Sequence, residues 1–292
     1  MGGNIFQLVQ QQKGLSFREA VDYCAWFLGA RAQEVMKKTI PIQLHAQENE
    51  QDKAKRLSSV TEIYQKSQPI LGTIAETYLR QERGIQCELS QDLRYLPKDT
   101  TFIYNAEHKT TIYDCFIAFG RNASGELSSV QLTKLNSNGT RAFNKDGEKL
   151  NKIQYGLAKG SFVTLQTNPE SNQVFIAEGV ETALSIKEAE VKDTIVASMG
   201  IHNMKNYQGS ESKIIICADN DGKLSRTNEV IHHTQEYLES QGKSLIIIKP
   251  SREGRDFNDI LKESGAKNIQ KYISDAVFQN NKSSKNQNLY NR

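Results

Sequence analysis

The sequence predicts an α/β protein in which a parallel sheet with helices on both faces follows a smaller α+β domain and an N-terminal helical segment. Three patterns lead to this prediction. Apolar runs of strand length alternate with helical patterns across residues 172–275, as in βαβ units. Strand-like runs divided by glycine-containing turns fill most of residues 58–165. Helical spacing of apolar residues marks residues 5–28.

The composition describes a globular chain. Its 292 residues, 37% hydrophobic and 24% charged, can form one large domain or two ordinary ones. The formal net charge of +3 is too small to imply nucleic-acid binding by itself. The four scattered cysteines form no CxxC pair, which predicts reduced thiols and no zinc site. Because the sequence has neither a membrane-length apolar run nor a secretion signal, we expect a cytoplasmic protein without a membrane partner.

Two short helices are predicted in the N-terminal segment, residues 1–40. The run IFQLVQQQ is expected to end at Gly14. The next helix begins with Ser16 as its N-cap and Glu19 three residues later, which is the pattern of a capping box. Residues 41–57 are polar with mixed charges, which predicts a linker or a solvated helix.

The α+β domain is assigned to residues 58–168. It begins with a helical pattern that Pro69 and Gly72 interrupt, and the strand-like runs TFIY, TIYDCFIAFG, SSVQLTKLN and FVTLQ follow. The α/β domain is assigned to residues 169–277, where the strands QVFIAEG, TIVASMG, KIIICADNDG and SLIIIKP alternate with four helical segments. The tail, residues 278–292, has almost no apolar residues and is predicted to be disordered.

Acidic residues lie at the carboxyl ends of the predicted parallel strands, where open α/β sheets bind ligands. Glu178 ends the first strand, and Asp219 and Asp221 end the third. Side chains two residues apart point to the same side of an extended chain, so the two aspartates should repel each other. A hard divalent cation, Mg²⁺ or Mn²⁺, would offset that repulsion. With Glu178, these acids could serve phosphoryl or nucleotidyl transfer.

Nearby residues are less specific. Asp256 and Asp259 follow the fourth strand, where they could support a metal from the periphery or only cap the next helix. Glu181 fits a first-turn helix charge better than a ligand. Gly179 and Gly222, each directly after one of the acids, would allow a tight turn and the close approach of a phosphate.

In order, FIAEGVETALS, VASMG, KIIICADNDG and GRDFNDIL resemble the Toprim domain, a metal-binding fold shared by bacterial-type primases, topoisomerases and some nucleases. The resemblance covers about residues 172–262. The motifs EGVETALS and RDFNDIL are most similar to those of the primases of phages, plasmids and conjugative elements. The resemblance implies that Glu178, Asp219 and Asp221 are the catalytic and metal-binding residues. Asp256 and Asp259 remain candidate peripheral metal ligands.

The resemblance extends upstream. YLRQERGI, LRYLP and SSVQLTKLNSNGTRAF resemble the block that forms the basic half of the polymerase core in these primases. It implies that Lys134, Arg141 and Lys152 face template or nucleotide phosphates, although each could equally be an ordinary surface base. The first residues are similar to the end of a primase zinc-binding domain. The chain starts at Met1 without the Cys/His ligands of that domain, so no zinc is expected and template-specific initiation is in doubt.

The leading hypothesis is a primase-like nucleotidyltransferase of a mobile element, which makes RNA primers on single-stranded DNA from ribonucleoside triphosphates. No P-loop is present, so a helicase, like a relaxase, would be a separate partner. Two alternatives stay open: a Toprim nuclease that depends on the same metal, and a non-catalytic remnant that binds DNA or a partner. His232 and His233 are predicted to be surface residues without metal-binding spacing.

Overall fold

The computed structural model describes residues 5–15, 19–20, 23–24, 50–104, 107–222 and 226–290. The chain divides into two units, residues 1–49 and residues 50–292. In the first unit, helix α1 spans Ile5–Lys13 and ends at Gly14 as predicted. The φ of +65° at Gly14 is the left-handed conformation that commonly closes a helix. The predicted capping box that starts at Ser16 lies outside the described residues.

The second unit contains both predicted domains. Its described strands are β1 (Gln68–Pro69), β2 (Leu93–Leu96), β3 (Thr101–Tyr104), β4 (Glu107–Thr110), β5 (Asp114–Arg121), β6 (Leu127–Leu135), β7 (Ile153–Gly156), β8 (Val163–Gln166), β9 (Gln173–Ala177), β10 (Thr194–Ala197), β11 (Lys213–Cys217) and β12 (Ser244–Ile248). Its described helices are α2 (Glu50–Lys66), α3 (Ile74–Thr77), α4 (Val180–Glu188), α5 (Arg226–Ser240), α6 (Phe257–Ser264) and α7 (Ala266–Tyr290). A π-helical turn follows α3 at Tyr78–Glu82, and a 3-10 turn spans Ile201–Asn206.

The first sheet is antiparallel, with the strand order β1-β2-β5-β6-β7. Alternate residues of a strand face opposite sides of a sheet. On one side, Ile117 and Leu132 pack with Val60 of α2. On the other side, Phe116 and Ala118 belong to the core that continues into the C-terminal half. The small domain is therefore closed by helix α2 on one side and by the second sheet and its helices on the other.

The second sheet has the order β12-β11-β9-β10-β8. Its first four strands are parallel, and β8 is antiparallel at the edge. Strands buried on both faces need apolar side chains at successive positions, and residues 214–216 of β11 are all fully buried isoleucines. Phe175 of β9 shares one hydrophobic cluster with Tyr78 and Phe116 of the preceding domain. This architecture confirms the predicted fold class.

The structure differs from the predicted elements at several places. Strands β2, β4 and β7 were not predicted, because each has only four residues and none of them is a continuous apolar run. Residues 41–57 were predicted to be a linker or a solvated helix, and the helical alternative holds from Glu50 onward, where α2 begins with acidic residues in its first turn. Helix α7 continues through the tail predicted to be disordered, and residues 266–290 contain no glycine or proline to end it. Within the described residues, no helix combines the length and the apolar character that crossing a membrane requires.

Candidate active site

The register of the second sheet brings Glu178 and Asp219 to one edge. Ala177, the last residue of β9, pairs with Cys217, the last residue of β11. Glu178 follows Ala177 directly, and Asp219 lies two residues beyond Cys217. Both acids therefore lie just past the carboxyl ends of adjacent parallel strands, where such sheets bind ligands. Both are partly buried, and the Oδ1 atom of Asp219 is fully buried, whereas Asp221 is exposed.

Asn220 fixes the loop that carries the two aspartates. Its backbone N–H donates to the Arg255 carbonyl at 2.9 Å, and its carbonyl accepts from the Gly254 N–H at 2.6 Å. Its side-chain amide donates to the Pro250 carbonyl at 2.8 Å. These bonds tie the loop after β11 to the loop after β12, and they bring Asp256 close to the other acids.

Asp219 has the most strongly perturbed carboxyl group of this edge. Its Oδ1 atom is buried and has no hydrogen-bond partner. Burial, followed by the charges of neighbouring carboxylates of which Asp256 acts most strongly, raises the pKa of Asp219 to about 7. A buried carboxylate oxygen without a partner is costly in free energy. The surroundings of Asp219 are therefore those of a group that binds a cation or a donor.

Glu178 shares this electrostatic environment. Burial and the charge of Asp221 raise the pKa of Glu178, whereas the charge of Lys152 and a hydrogen bond from the Ile201 backbone lower it. Two residues before Ile201, Met199 has a φ of +55°. A non-glycine residue in the left-handed region costs roughly 1–2 kcal/mol and is often found at functional sites. The turn after β10 thus holds a strained backbone next to a carboxylate.

Asp256 and Asp259 form a capping box at the start of α6. The Asp256 carboxylate accepts from the Asp259 N–H at 2.8 Å, and the Asp259 carboxylate accepts from the Asp256 N–H at 3.2 Å. Asp259 also lies 3.8 Å from Arg255 Nη1. Burial raises the pKa of Asp256, and its charge acts on Asp219. Asp256 therefore borders the acidic group while it caps the helix, and the contacts of Asp259 are with the helix start and Arg255.

Glu181 is buried, although its position in the first turn of α4 predicted only a helix charge. Its carboxylate accepts from the Tyr78 hydroxyl at 2.9 Å and from Lys152 Nζ at 2.7 Å. Arg83 Nε donates to the same hydroxyl at 2.8 Å. Burial opposes ionisation, but the charges of Lys152 and Arg83 dominate and lower the pKa of Glu181. The sequence carried part of the signal, because Glu181 is the only charged residue among residues 179–186 and a buried charge requires a partner, but it did not identify that partner.

The three basic residues implied by the resemblance lie in different places. Lys152 contacts Glu181 and lies near Glu178. Lys134 lines a cavity of about 240 Å³ together with Tyr155, on the sheet face that carries the β3–β4 hairpin. Arg141 is buried, and its guanidinium donates to the Leu150 carbonyl within the same loop. The implied phosphate-facing role of Arg141 is thus at odds with its burial, because this side chain closes a loop of its own domain.

The two glycines next to the acids have different conformations. Gly222 has a φ of +90°, which strains any other residue. Gly179 has a φ of −102°, and a Cβ added there would meet its nearest protein atom at 3.7 Å. The packing of the protein therefore requires glycine at position 222 but not at position 179.

The prediction that the histidines lack metal-binding spacing was wrong. His232, His233 and Glu236 are exposed on α5 with their ligand atoms within 4.8 Å of one another. No other set of three His, Cys, Asp or Glu residues in the described part of the chain meets that distance. The two histidines are consecutive and both turn toward Glu236. Glu236 lies four residues after His232 and three after His233, the spacings at which side chains meet on a helix, so the helical pattern contained this signal.

The acids of the strand edge fit a divalent cation by their chemistry. All their ligand atoms are carboxylate oxygens, which Mg²⁺ and Mn²⁺ prefer. Glu178, Asp219 and Asp221 do not converge within 4.8 Å as a set, and repulsion between like charges opposes such convergence. The buried Asp219 Oδ1 atom without a partner is a ligand available to a cation. These three residues are therefore suited to hold the metal, with Asp256 at the periphery.

Comparisons with known proteins agree with this description. A family model described as a Toprim domain matches residues 173–267. A second model, described as a domain of unknown function (DUF7146), matches residues 54–165. No curated protein matches the sequence.

Several solved primase structures are similar in fold. The zinc-binding and RNA polymerase domains of the Aquifex aeolicus primase align with a TM-score of 0.56 at 14% identity, over 94% of this chain and 71% of that chain. A DnaG primase catalytic domain bound to ssDNA aligns with a TM-score of 0.55 at 14% identity, over 78% of this chain and 83% of that chain. A DnaG catalytic core aligns with a TM-score of 0.54 at 13% identity, over 77% of this chain and 80% of that chain. The chain therefore contains a Toprim domain at residues 173–267 and has the fold of the bacterial DnaG-type primase core.

Proposed function

We propose that the protein is a primase-like nucleotidyltransferase that makes short RNA primers on single-stranded DNA. The proposal rests on the group of acids at the carboxyl ends of β9 and β11, namely Glu178, Asp219 and Asp221. Within this group, Asp219 has a buried oxygen without a hydrogen-bond partner. A stable fold gains nothing from such an oxygen. The cost is understandable if the site binds a cation that takes part in catalysis.

Glu178, Asp219 and Asp221 would hold Mg²⁺ or Mn²⁺ in this function. When bound, the metal would stabilise negative charge on the attacking and leaving oxygens of nucleotidyl transfer. Lys152 lies 2.7 Å from Glu181 and is partly exposed, so its ammonium group is positioned to attract a triphosphate as well. Glu181 would keep that lysine oriented.

A primase explains more of the chain than a Toprim nuclease does. The likeness to primase cores includes the antiparallel domain as well as the Toprim domain, since it extends over 77% of this chain or more in the structures compared. The proposed partners are a single-stranded DNA template and ribonucleoside triphosphates. The motifs EGVETALS and RDFNDIL further support an origin in a mobile element, with a separate helicase or relaxase as partner.

The direct test is primer synthesis on single-stranded DNA with labelled ribonucleotides and Mg²⁺ or Mn²⁺. Asp219→Ala should reduce the product by about 100-fold or more, because the substitution removes a metal ligand. Asp275→Ala is the matched control, since Asp275 is an exposed aspartate on α7. Undiminished product in Asp219→Ala would refute the assignment.

Two further measurements separate the alternatives. Incubation of the metal-loaded protein with DNA and RNA tests for cleavage, and cleavage without synthesis would favour the nuclease. Stabilisation by Mn²⁺ in a thermal unfolding experiment tests for a non-catalytic remnant, because only a protein that binds the metal is stabilised by it. We expect that stabilisation to disappear in Asp219→Asn.

A further inference from the structure

Three polar side chains form a row on the first sheet. Gln131 of β6 pairs directly with Gln154 of β7. Lys152 lies two residues before Gln154 and therefore faces the same side of the strand. Gln131 also belongs to this side, because its amide Nε2 lies 3.4 Å from the Met199 carbonyl of the Toprim domain. The row of Gln131, Gln154 and Lys152 thus faces the second sheet.

The amide group of Gln154 is incompletely bonded. Its Nε2 atom is buried and has no hydrogen-bond partner. By contrast, Gln166 at the edge of the second sheet donates to the carbonyls of Val191 and Asp193 at 2.7 and 2.8 Å. A buried amide donor without a partner costs more free energy than a hydrogen bond returns on average. Such a group in a native protein calls for an explanation, and an absent ligand is one.

Both ends of the row lie close to the acids at the carboxyl ends of β9 and β11. At one end, Lys152 Nζ lies 2.7 Å from Glu181 and its charge acts on Glu178. At the other end, Gln131 approaches the Met199 carbonyl, and the turn that begins there supplies the Ile201 N–H that bonds to Glu178. The two amides therefore border the site that we assign to nucleotidyl transfer.

We infer that Gln154, supported by Gln131, binds the ribose 2′-hydroxyl of the incoming nucleotide and so favours ribonucleotides over deoxyribonucleotides. The inference rests on the proposed function. A hydroxyl group both accepts and donates a hydrogen bond, and a pair of amides offers both kinds of partner. A site with buried polar groups rejects an analogue that lacks the matching hydroxyl, because those groups then stay unpaired.

The spacing along the row favours the sugar over the other parts of a nucleotide. A phosphate is matched by the charge of Lys152 rather than by a neutral amide. Gln154 lies two residues further along the strand, which corresponds to about 6.6 Å. This separation is comparable to that between the α-phosphate and the far side of the attached ribose. A triphosphate next to Lys152 would therefore bring its sugar to the amides.

The test compares ATP with dATP in two independent measurements on the full chain, namely binding and incorporation. Binding is followed by thermal stabilisation in the presence of Mn²⁺, which does not depend on turnover. The variant is Gln154→Met, which keeps the length of the side chain and removes the amide. The control is Gln235→Met, since Gln235 is partly exposed on α5, far along the chain from the row, and donates to Glu239 in the next turn.

We expect the wild type and Gln235→Met to prefer ATP over dATP. In Gln154→Met the ratio of ATP to dATP should fall by about tenfold, which corresponds to the loss of one hydrogen bond. The affinity for dATP should stay unchanged in Gln154→Met. An ATP to dATP ratio that is the same in Gln154→Met and in the wild type would overturn this inference and leave the proposed function intact. If the wild type neither binds nor incorporates either nucleotide, the proposed function fails, and the inference fails with it.

Discussion

At the scale of single residues, the surroundings of Asp219 disfavour the ionised form of its carboxyl group. Its ordinary pKa of 3.8 is raised to about 7 in the folded protein, so folding favours the protonated form. The stability that this group contributes is present below its ordinary pKa and is lost as the pH rises through about 7. At higher pH the folded protein carries an ionised carboxylate that its surroundings oppose.

Asp219→Asn should therefore stabilise the protein in the absence of divalent metal. Because the penalty grows with ionisation, the gain should be on the order of 1–3 kcal/mol at about pH 8 and much smaller at about pH 4.5. Urea unfolding in the presence of a chelator measures it, with Asp275→Asn as the control. A gain that does not depend on pH would mean that charge is not its cause.

The role of a residue could be predicted from the sequence when its partners are close to it along the chain. The DxD pair at Asp219 and Asp221 and the glutamate at Glu178 are visible as a motif, because they follow apolar strands directly. The role of Glu181 depends on Tyr78, which lies 103 positions away in the chain. No local pattern encodes a contact of that kind. The burial of Arg141 was missed for a different reason, since a basic residue in a loop usually faces solvent.

At the scale of elements, the carboxyl ends of β9 and β11 show how the sheet builds the site. The apolar runs of these strands were predictable, and so was the parallel pairing that aligns their ends. The bond between Asn220 and Arg255 was not, because it joins two irregular loops. The short strands β2, β4 and β7 were also missed, since tertiary packing rather than sequence propensity determines them.

The two glycines of these loops give a matched pair of substitutions. Gly222→Ala should destabilise the protein by about 1–2 kcal/mol, because the φ of +90° is unfavourable for any residue with a Cβ. Gly179→Ala should change the stability by less than about 0.5 kcal/mol, since a Cβ fits there without a clash. Chemical denaturation of both variants tests this. A large loss for Gly179→Ala would show that the loop is packed more tightly than described.

At the scale of the whole molecule, one polar network connects the two domains. Tyr78, Arg83 and Lys152 belong to the first domain, and Glu181 and Asn258 belong to the second. Arg83 Nη1 lies 3.3 Å from the Asn258 amide oxygen, and the Asn258 amide donates to the Arg83 carbonyl at 2.8 Å. The hydrophobic core shared by the two sheets supplies the area of contact, and the network gives that contact a defined position.

Glu181→Gln should destabilise the protein by about 2–3 kcal/mol, because it removes the charged partner of Lys152, whose ammonium group is only partly exposed. The double variant Glu181→Gln/Lys152→Met should recover part of that loss, since it removes the unpaired charge. The pKa of Glu181 is lowered in the folded state, so its contribution is present above its ordinary pKa and is lost as the pH falls toward the folded value. Urea unfolding at several pH values checks both expectations. Equal stability of the single and double variants would contradict the charge argument.

The backbone bridge between Asn220 and Arg255 has a mechanical consequence. It joins the loop that carries the two aspartates to Arg255, two residues before helix α6 begins, so the two loops are coupled through their backbones. A displacement of the aspartates would be transmitted to that helix through backbone hydrogen bonds, which are less flexible than side-chain contacts. A movement of the aspartates would therefore reach the start of helix α6, because its capping residue Asp256 follows Arg255 directly.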